Sequence, residues 1–251
     1  KIFKRMPVVD AVIGPGNYHK LPEIVKNIEE KRKKEARLEF LFKEKFDELP
    51  HSREVKGITE FITVQEGCDK FCSYCVVPYT RGREFSRQPE DIINEVILLR
   101  DKGVKEITLL GQNVDNYKAK NKEDKIINLA ELIFMVSKID GIERIRYMTS
   151  YPSQVDKTLI DAHKDIEKLM PFIHLPVQSG SNSVLKLMNR RYTAEQYLDV
   201  VEQLRISRPD IAISSDFIVG FAGETDKDFE ETLELVKKVK YASSFSFKYS
   251  P

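Results

Sequence analysis

The sequence has few cysteines, little net charge and no long apolar run. Its three cysteines, Cys68, Cys72 and Cys75, lie within eight residues of one another, and an odd number confined to one stretch argues against a disulfide framework. The absence of about 18 consecutive apolar residues excludes a membrane-spanning helix. The formal net charge is +1, so any contact with nucleic acid must come from local basic patches rather than from a global positive field.

The length and composition are those of a folded α/β protein. With 251 residues, 41% of them hydrophobic, the chain is large enough for one barrel or for two ordinary domains. It begins at Lys1 rather than at a methionine, so we interpret it as a fragment in which a missing targeting signal says little. Free thiols favour a reducing compartment, and we expect a cytoplasmic location, or a mitochondrial one if the source is eukaryotic.

Metal ligation is the better explanation of the cysteines. Spacings of three and two intervening residues let one loop wrap its sulfur atoms around a compact centre, as thiolates do for zinc or for iron–sulfur clusters. The nearest histidine, His51, lies seventeen residues upstream, so three ligands leave one position open. The spacing alone favours a catalytic or cofactor-bearing centre over structural zinc and over unligated buried cysteines.

The chain divides into three segments. Residues 1–30 contain an apolar run, a Gly-Pro-Gly-Asn turn and a helical pattern, which are typical of the last strand-turn-helix unit of an N-terminal α/β domain. Residues 31–57 combine a basic run with many other charges, and we interpret them as a linker. Residues 58–251 are regular and form the predicted core domain.

From residue 58 onward, short β-branched runs alternate with longer segments of helical period. The predicted strands are 60–65, 105–110, 143–149, 172–176, 211–219 and 244–249. The predicted helices are 89–102, 127–139, 155–166, 181–189 with 193–206, and 226–239. Capping boxes mark the starts of the last two helices at Thr193 and Thr225, and we expect the last helix to bury Phe229, Leu233 and Val236.

Six strand-helix repeats in a row predict a parallel sheet curled into part of a barrel, a (βα)6 TIM-like arrangement with its helices outside. Ligands of such folds bind at the carboxyl ends of the strands. The cysteine loop follows the first predicted strand, so the metal should lie at that mouth. Residues at the ends of the later strands should converge there: Gln112, Asn113, Ser150, Gln178, Ser179 and the stretch from Asp216 to Gly220.

Several stretches around the cysteines carry a family resemblance. The Cys-x3-Cys-x2-Cys loop after the first strand of such a barrel resembles the radical S-adenosylmethionine (SAM) superfamily. The flanking stretches narrow the resemblance to methylthiotransferases of the MiaB type, which act on tRNA. These stretches are 65–68, 76–82, 109–114, 144–147, 174–181 and 214–221.

The resemblance implies a radical-SAM barrel in which Cys68, Cys72 and Cys75 hold a [4Fe-4S] cluster whose open iron binds S-adenosylmethionine. An electron from the cluster then cleaves S-adenosylmethionine to a 5′-deoxyadenosyl radical. The strand-end polar residues become candidate cofactor-binding groups. The implied substrate is N6-isopentenyladenosine next to the tRNA anticodon, methylthiolated at C2, so the anticodon stem-loop is an expected partner.

The resemblance also implies parts that this sequence does not contain. A second [4Fe-4S] cluster is expected in an N-terminal part, on three further cysteines, and we expect the 251-residue chain to bind and cleave S-adenosylmethionine without completing sulfur insertion. An electron donor such as flavodoxin or ferredoxin is expected, and we expect a monomer with no membrane partner.

Two departures from the family pattern and two alternative functions stay open. Ala222 stands where proline is expected, and Tyr151 where histidine is expected. The substrate could instead be N6-threonylcarbamoyladenosine in tRNA or an aspartate of a ribosomal protein. An alternative of another class is a zinc-stapled RNA-binding module without catalysis.

Arginines and tyrosines near the cysteine loop suit an RNA backbone and a splayed base, because guanidinium groups bind phosphate and aromatic rings stack on bases. Surface solubility or internal pairing is the competing explanation for each arginine. The candidates are Arg81, Arg83, Arg87, Arg190 and Arg191, with Tyr79 and Tyr192.

Overall fold

A computed structural model describes residues 1–39, 46 and 54–250. Its central feature is a set of six parallel strands in chain order. They are β3 (Thr59–Thr63), β6 (Glu106–Leu110), β9 (Arg144–Met148), β10 (Phe172–His174), β11 (Ala212–Val219) and β12 (Ser243–Lys248). The remaining strands are β1 (Ala11–Ile13), β2 (Glu35–Arg37), β4 (Gln65–Glu66), β5 (Phe85–Ser86), β7 (Lys118–Lys120) and β8 (Ile126–Asn128).

Two three-stranded ladders make up the main sheet. Strand β6 pairs in parallel with β3 and β9, and β11 pairs in parallel with β10 and β12. The ladders are joined at Ile145, whose amide donates to the Lys168 carbonyl at 2.8 Å and whose carbonyl accepts from the Met170 amide at 3.0 Å. The predicted α/β architecture is confirmed. Among the described residues the two outer strands, β3 and β12, do not pair with each other, so the barrel is open.

The helices connect these strands and cover the sheet. They are α1 (Ile2–Arg5), α2 (Leu21–Lys31), α3 (Val77–Arg81), α4 (Pro89–Asp101), α5 (Leu129–Ser137), α6 (Lys157–Asp165), α7 (Asn182–Leu187), α8 (Ala194–Ser207) and α9 (Asp226–Val239). Short 3-10 turns span Pro15–Lys20, Val114–Asn116 and Pro152–Gln154. The sheet is covered on both faces, which explains why β6 buries three consecutive residues, Ile107, Thr108 and Leu109.

Local sequence signals explain most helix boundaries. The predicted capping boxes at Thr193 and Thr225 both form, and a third one, which the sequence analysis missed, forms at Asn128 with Glu131. The predicted inward face of α9 is wrong in part, because Phe229 and Leu233 remain 41% and 36% exposed.

Helix α9 instead buries the face formed by Thr232, Leu235 and Val239. The Thr232 hydroxyl accepts a hydrogen bond from the Gly180 amide at 2.9 Å. With this polar contact, a different face of the helix packs against the barrel. The pattern of hydrophobic residues alone does not predict that face.

The segment before the main sheet contains its own strand pair. Strand β2 pairs in parallel with β1, and α2 lies between them in the chain. Strand β2 falls inside the segment 31–57 that the sequence analysis treats as a linker, while 40–45 and 47–53 lie outside the described residues. The division into 1–30, 31–57 and 58–251 stays a prediction.

The lengths and hydropathies of the described helices bear on whether any of them could cross a membrane. Within 1–39, 46 and 54–250, none combines the length and the hydropathy that crossing a bilayer requires.

Candidate metal centre

The three cysteines lie on the loop that leaves the carboxyl end of the first barrel strand. Between β3 and this loop the chain makes the two-residue strand β4, which pairs antiparallel with β5. Cys72 is buried, whereas Cys68 and Cys75 are partly exposed. Burial raises the pKa of the Cys68 thiol to about 11. An isolated thiol is therefore disfavoured as a thiolate here, and a positive centre would have to supply the compensation.

The three thiols come from a single loop. In the described part of the chain, no group of three or more His, Cys, Asp or Glu side chains is placed to hold a single metal ion. In a [4Fe-4S] cluster each thiolate binds a different iron atom, so three thiols on one loop would leave one iron open.

The start of the loop is tied to the first and second barrel strands. The Gly67 amide donates to Gln112 Oε1 at 2.8 Å, and the Cys68 amide donates to the Gly82 carbonyl at 3.2 Å. Gln65, which is fully buried, donates to the Gly67 carbonyl at 3.1 Å and accepts from the Asn113 amide at 3.2 Å. The side chain of Gln112 therefore orients the cysteine loop, which is a role that the sequence analysis did not assign to it.

Glu84 is a second link between the two loops, and the sequence analysis missed it. Its carboxylate accepts from the Asp69 amide at 3.3 Å, from Asn113 Nδ2 at 2.8 Å and from Asn116 Nδ2. The Asn113 side chain thus contacts Glu84 rather than the open mouth. No local motif marks Glu84, because its partners lie in two loops that only the fold brings together.

The middle of the loop is tied to the far side of the barrel, at the end of α7. Ser73 donates from its amide to the Met188 carbonyl at 3.1 Å and from its hydroxyl to the Leu187 carbonyl at 2.8 Å. Asn189 Nδ2 donates to the Phe71 carbonyl at 2.8 Å. The cysteine loop is therefore held from two sides.

Ser150 and Asp115 bring two unpartnered polar atoms to the strand ends. Asp115 Oδ2 accepts from the Tyr151 amide at 2.6 Å, but Asp115 Oδ1 and Ser150 Oγ are buried without a hydrogen-bond partner in the described structure. Burial raises the pKa of Asp115 to about 8. Buried polar groups are normally satisfied, so these two atoms are candidates for contact with a ligand.

Gln178, which follows the end of β10, lies beside Asp216 of β11. The Gln178 amide donates to the Asp216 carbonyl at 2.9 Å, and Gln178 adopts a positive φ of 76°. The Asp216 carboxylate lies 3.3 Å from His174 Nε2, and His174 Nδ1 lies 2.8 Å from Ser214 Oγ. Asp216 thus contacts a histidine of β10 instead of standing alone at a strand end. The cofactor-binding roles of both residues stay predictions.

The residues proposed for RNA contact separate into two groups. Arg87 is buried and binds the Thr63 carbonyl and the Glu95 carboxylate, both at 2.8 Å. Arg190 and Tyr192 also turn inward, with Tyr192 only 6% exposed. For these three residues the RNA interpretation is wrong, because internal partners occupy them. The candidates that face solvent at least in part are Arg81, Arg83, Arg191 and Tyr79.

Tyr151, which replaces an expected histidine, is part of this inward group. Its ring lies edge-on to Tyr192, with centroids 5.5 Å apart, and its hydroxyl accepts from the Arg191 amide at 3.1 Å. Lys70 lies over the same ring at 4.9 Å. The tyrosine therefore packs the cysteine loop against the segment after α7.

Comparison with known proteins places the chain beside enzymes of one kind. A model of the radical SAM superfamily matches residues 62–236. Relatives from Rickettsia felis, Bartonella henselae and Agrobacterium fabrum are 53%, 51% and 51% identical to the chain over its whole length. Each is named tRNA-2-methylthio-N(6)-dimethylallyladenosine synthase. The chain covers 56% of the length of each relative.

Solved structures share the fold at low identity. The radical S-adenosylmethionine methyltransferase TsrM from Kitasatospora setae, solved with cobalamin and a [4Fe-4S] cluster, matches with a TM-score of 0.61 and 15% identity, over 75% of this chain and 36% of that one. The radical SAM enzyme HemN, a coproporphyrinogen III oxidase from Escherichia coli, matches with a TM-score of 0.52 and 16% identity, over 76% and 43%. At such identities the likeness extends to the fold alone.

Proposed function

Because this chain belongs to the radical SAM superfamily, we propose that it is the radical-generating core of a tRNA methylthiotransferase, with a [4Fe-4S] cluster held by Cys68, Cys72 and Cys75. The observation that carries the proposal is the position of these three thiols on one loop at the carboxyl ends of parallel strands. When bound, the cluster supplies the electron for reductive cleavage of S-adenosylmethionine. The protein's own contribution is to hold the loop and to orient the cofactor.

The polar groups at the strand ends divide this work. Gln112 holds the start of the cysteine loop through the Gly67 amide. Ser150, whose hydroxyl is buried and unpartnered, would contact the cofactor, and Gln178 and Asp216 are further proposed contacts. Asn113 acts through Glu84, which it contacts at 2.8 Å.

The proposed substrate of the whole enzyme is N6-isopentenyladenosine next to the anticodon of tRNA, modified at C2. The identity of 51–53% to synthases named for that product supports this substrate over N6-threonylcarbamoyladenosine or a ribosomal protein aspartate. Sulfur insertion requires a second cluster, which we assign to a part of the enzyme outside these 251 residues. This chain alone therefore binds and cleaves S-adenosylmethionine.

The same proposal names the surroundings of the enzyme. A small electron-transfer protein such as flavodoxin or ferredoxin supplies the electron, and the anticodon stem-loop is the nucleic-acid partner. We place the enzyme in the cytoplasm as a monomer.

Anaerobic reconstitution with iron and sulfide tests the proposal. We expect a brown chain with about four irons, reductive cleavage of S-adenosylmethionine by dithionite, and loss of both on Cys72→Ala. The matched control is Ser207→Ala at the end of α8, a substitution of similar size outside the cysteine loop, which should retain the iron. A colourless chain that binds a single zinc ion through the same cysteines would contradict the proposal and support the zinc-stapled module.

A further inference from the structure

The guanidinium of Arg190 lies directly against the middle cysteine. Its Nη1 donates to Cys72 Sγ at 3.5 Å, which is within hydrogen-bond distance of a sulfur acceptor. Its other nitrogens are held by the protein: Nη2 donates to the Pro176 carbonyl at 2.7 Å, and Nε donates to the Tyr192 hydroxyl at 2.7 Å. All three donor positions of the group therefore have fixed partners.

Two aromatic rings lie beside the same group. The guanidinium carbon lies 4.3 Å from the centre of the Tyr151 ring and 5.0 Å from that of Tyr192. These distances are those of cation–π contacts, and arginine can make them together with several directed N–H hydrogen bonds. Arg190 has little freedom to turn away from Cys72.

The charge of Arg190 lacks a carboxylate partner in the described part of the chain. The titratable groups near it include Tyr192, Cys72 and Tyr151, which contact it directly, and Tyr74. Arg190 is half-buried. A cation partly removed from water is costly unless an anion compensates it, and neutral phenols supply no charge. Of the groups facing Arg190, the Cys72 sulfur becomes an anion when it binds a metal.

We propose that Arg190 is a positioning residue that donates a hydrogen bond to the Cys72 thiolate and raises the reduction potential of the bound cluster. The inference rests on the proposed function, since it requires a cluster on Cys72. Adding one electron makes the cluster and its sulfur ligands more negative, so a fixed N–H donor and a positive charge beside one sulfur stabilise the reduced state more than the oxidised state. The result is a cluster that a biological donor reduces more easily.

A redox titration of the reconstituted chain tests this inference. Dithionite-reduced samples are poised at a series of ambient potentials, and the reduced cluster is measured by electron paramagnetic resonance. For Arg190→Gln we expect the ratio of reduced to oxidised cluster at the wild-type midpoint to fall about tenfold, which is a shift of about 59 mV for a one-electron couple. Arg190→Lys keeps the charge and loses the fork, so it should shift the potential less.

Two further variants keep the test decisive. Arg191→Gln, next in the chain and exposed, is the matched control and should leave the potential unchanged. Tyr192→Phe removes the acceptor of the Arg190 Nε hydrogen bond, and it should lower the reduction potential, as Arg190→Gln does. It therefore tests the inference even if the Arg190→Gln chain holds no cluster.

The outcomes separate the inference from the proposed function. A wild-type chain that takes up no iron–sulfur cluster would refute both. A wild-type cluster whose potential is unchanged in Arg190→Gln, or in Tyr192→Phe where Arg190→Gln takes up no cluster, would refute the inference alone. Weaker binding of S-adenosylmethionine without a change of potential would also refute it, and would assign the guanidinium to the cofactor's carboxylate instead.

Discussion

Gly67, which opens the cysteine loop, is the position where a single methyl group should do the most damage. The residue has a φ of +78°, in the left-handed region. A Cβ atom built there would lie 2.7 Å from the Gly82 carbonyl oxygen and 2.5 Å from the Arg83 carbonyl carbon, with the Arg83 oxygen closer still. All of these are backbone atoms, so no side-chain rotation relieves the overlap.

Two costs add in Gly67→Ala. A residue with a Cβ atom in the left-handed region costs about 1–2 kcal/mol. Relieving the overlap by moving backbone costs about 1–3 kcal/mol more, as is usual for overpacked sites. We therefore expect Gly67→Ala to lower the free energy of unfolding by about 2–5 kcal/mol. The same movement stretches the 3.2 Å hydrogen bond from the Cys68 amide to the Gly82 carbonyl, so iron uptake should fall as well.

Two other glycines separate these costs. Gly103 has a φ of +91° but nothing within 4 Å of a built Cβ, so Gly103→Ala should cost only the conformational part, about 1–2 kcal/mol. Gly57 also has open space and lacks a positive φ, so Gly57→Ala should change stability by less than about 0.5 kcal/mol. Urea unfolding of the three apo variants and iron content after reconstitution are the measurements. If Gly67→Ala is no less stable than Gly103→Ala and takes up iron normally, the close approach of the 82–83 backbone to Gly67 does not affect stability or iron binding, and the reasoning is refuted.

Two further predictions concern buried charge. Burial lowers the pKa of His163 from 6.5 to about 4, and the ring lies 2.7 Å from the Tyr147 hydroxyl. Because the unfolded chain binds this proton more readily, the free energy of unfolding should fall as the pH drops from about 6.5 to about 4, by up to about 1.4 kcal/mol per pH unit. Urea unfolding at a series of pH values should show a weaker pH dependence of this free energy for His163→Gln. An unchanged pH dependence would contradict the assignment. Arg87→Gln removes a buried cation and should cost about 3–5 kcal/mol in thermal or urea unfolding. Arg83→Gln, at a side chain 92% exposed, should cost less than about 0.5 kcal/mol, and equal losses would refute the internal role of Arg87.

The barrel could be predicted from local patterns because the same strand-then-helix pattern recurs along the chain. The six predicted strands fall within one or two residues of the observed ones, and a glycine or a proline lies close to most of their ends. Strand β2 could not be predicted, because its residues Glu35–Arg37 carry charges and become a strand only by pairing with β1. The hairpin of β7 and β8 was missed for a related reason: its lysine-rich residues have no apolar alternation over enough positions.

The candidate site divides along the same line. The cysteines can be identified as candidate ligands from their spacing alone, because all three come from one loop. Glu84 and Arg190 do not, since each acts on residues that are distant in the chain: Arg190 lies 118 residues from Cys72, and Glu84 lies 29 residues from Asn113. An arginine beside tyrosines suits RNA as well as it suits an internal anion, and only the burial of Arg87 and the contacts of Arg190 decide between them.

The two attachments of the cysteine loop explain how an open barrel still defines the geometry of the loop. One attachment, through Gln112, belongs to the end of β6, and the other, through Asn189 and Arg190, belongs to the segment after α7. Gln112 follows the interior strand β6, and Asn189 and Arg190 belong to the connection between the interior strands β10 and β11. Individual hydrogen bonds of this kind contribute about 0.5–1.5 kcal/mol each, so several together are enough to hold a short loop in place before any cluster binds. The curvature that brings β6 and α7 to opposite sides of one loop is therefore what the fold contributes to the proposed chemistry.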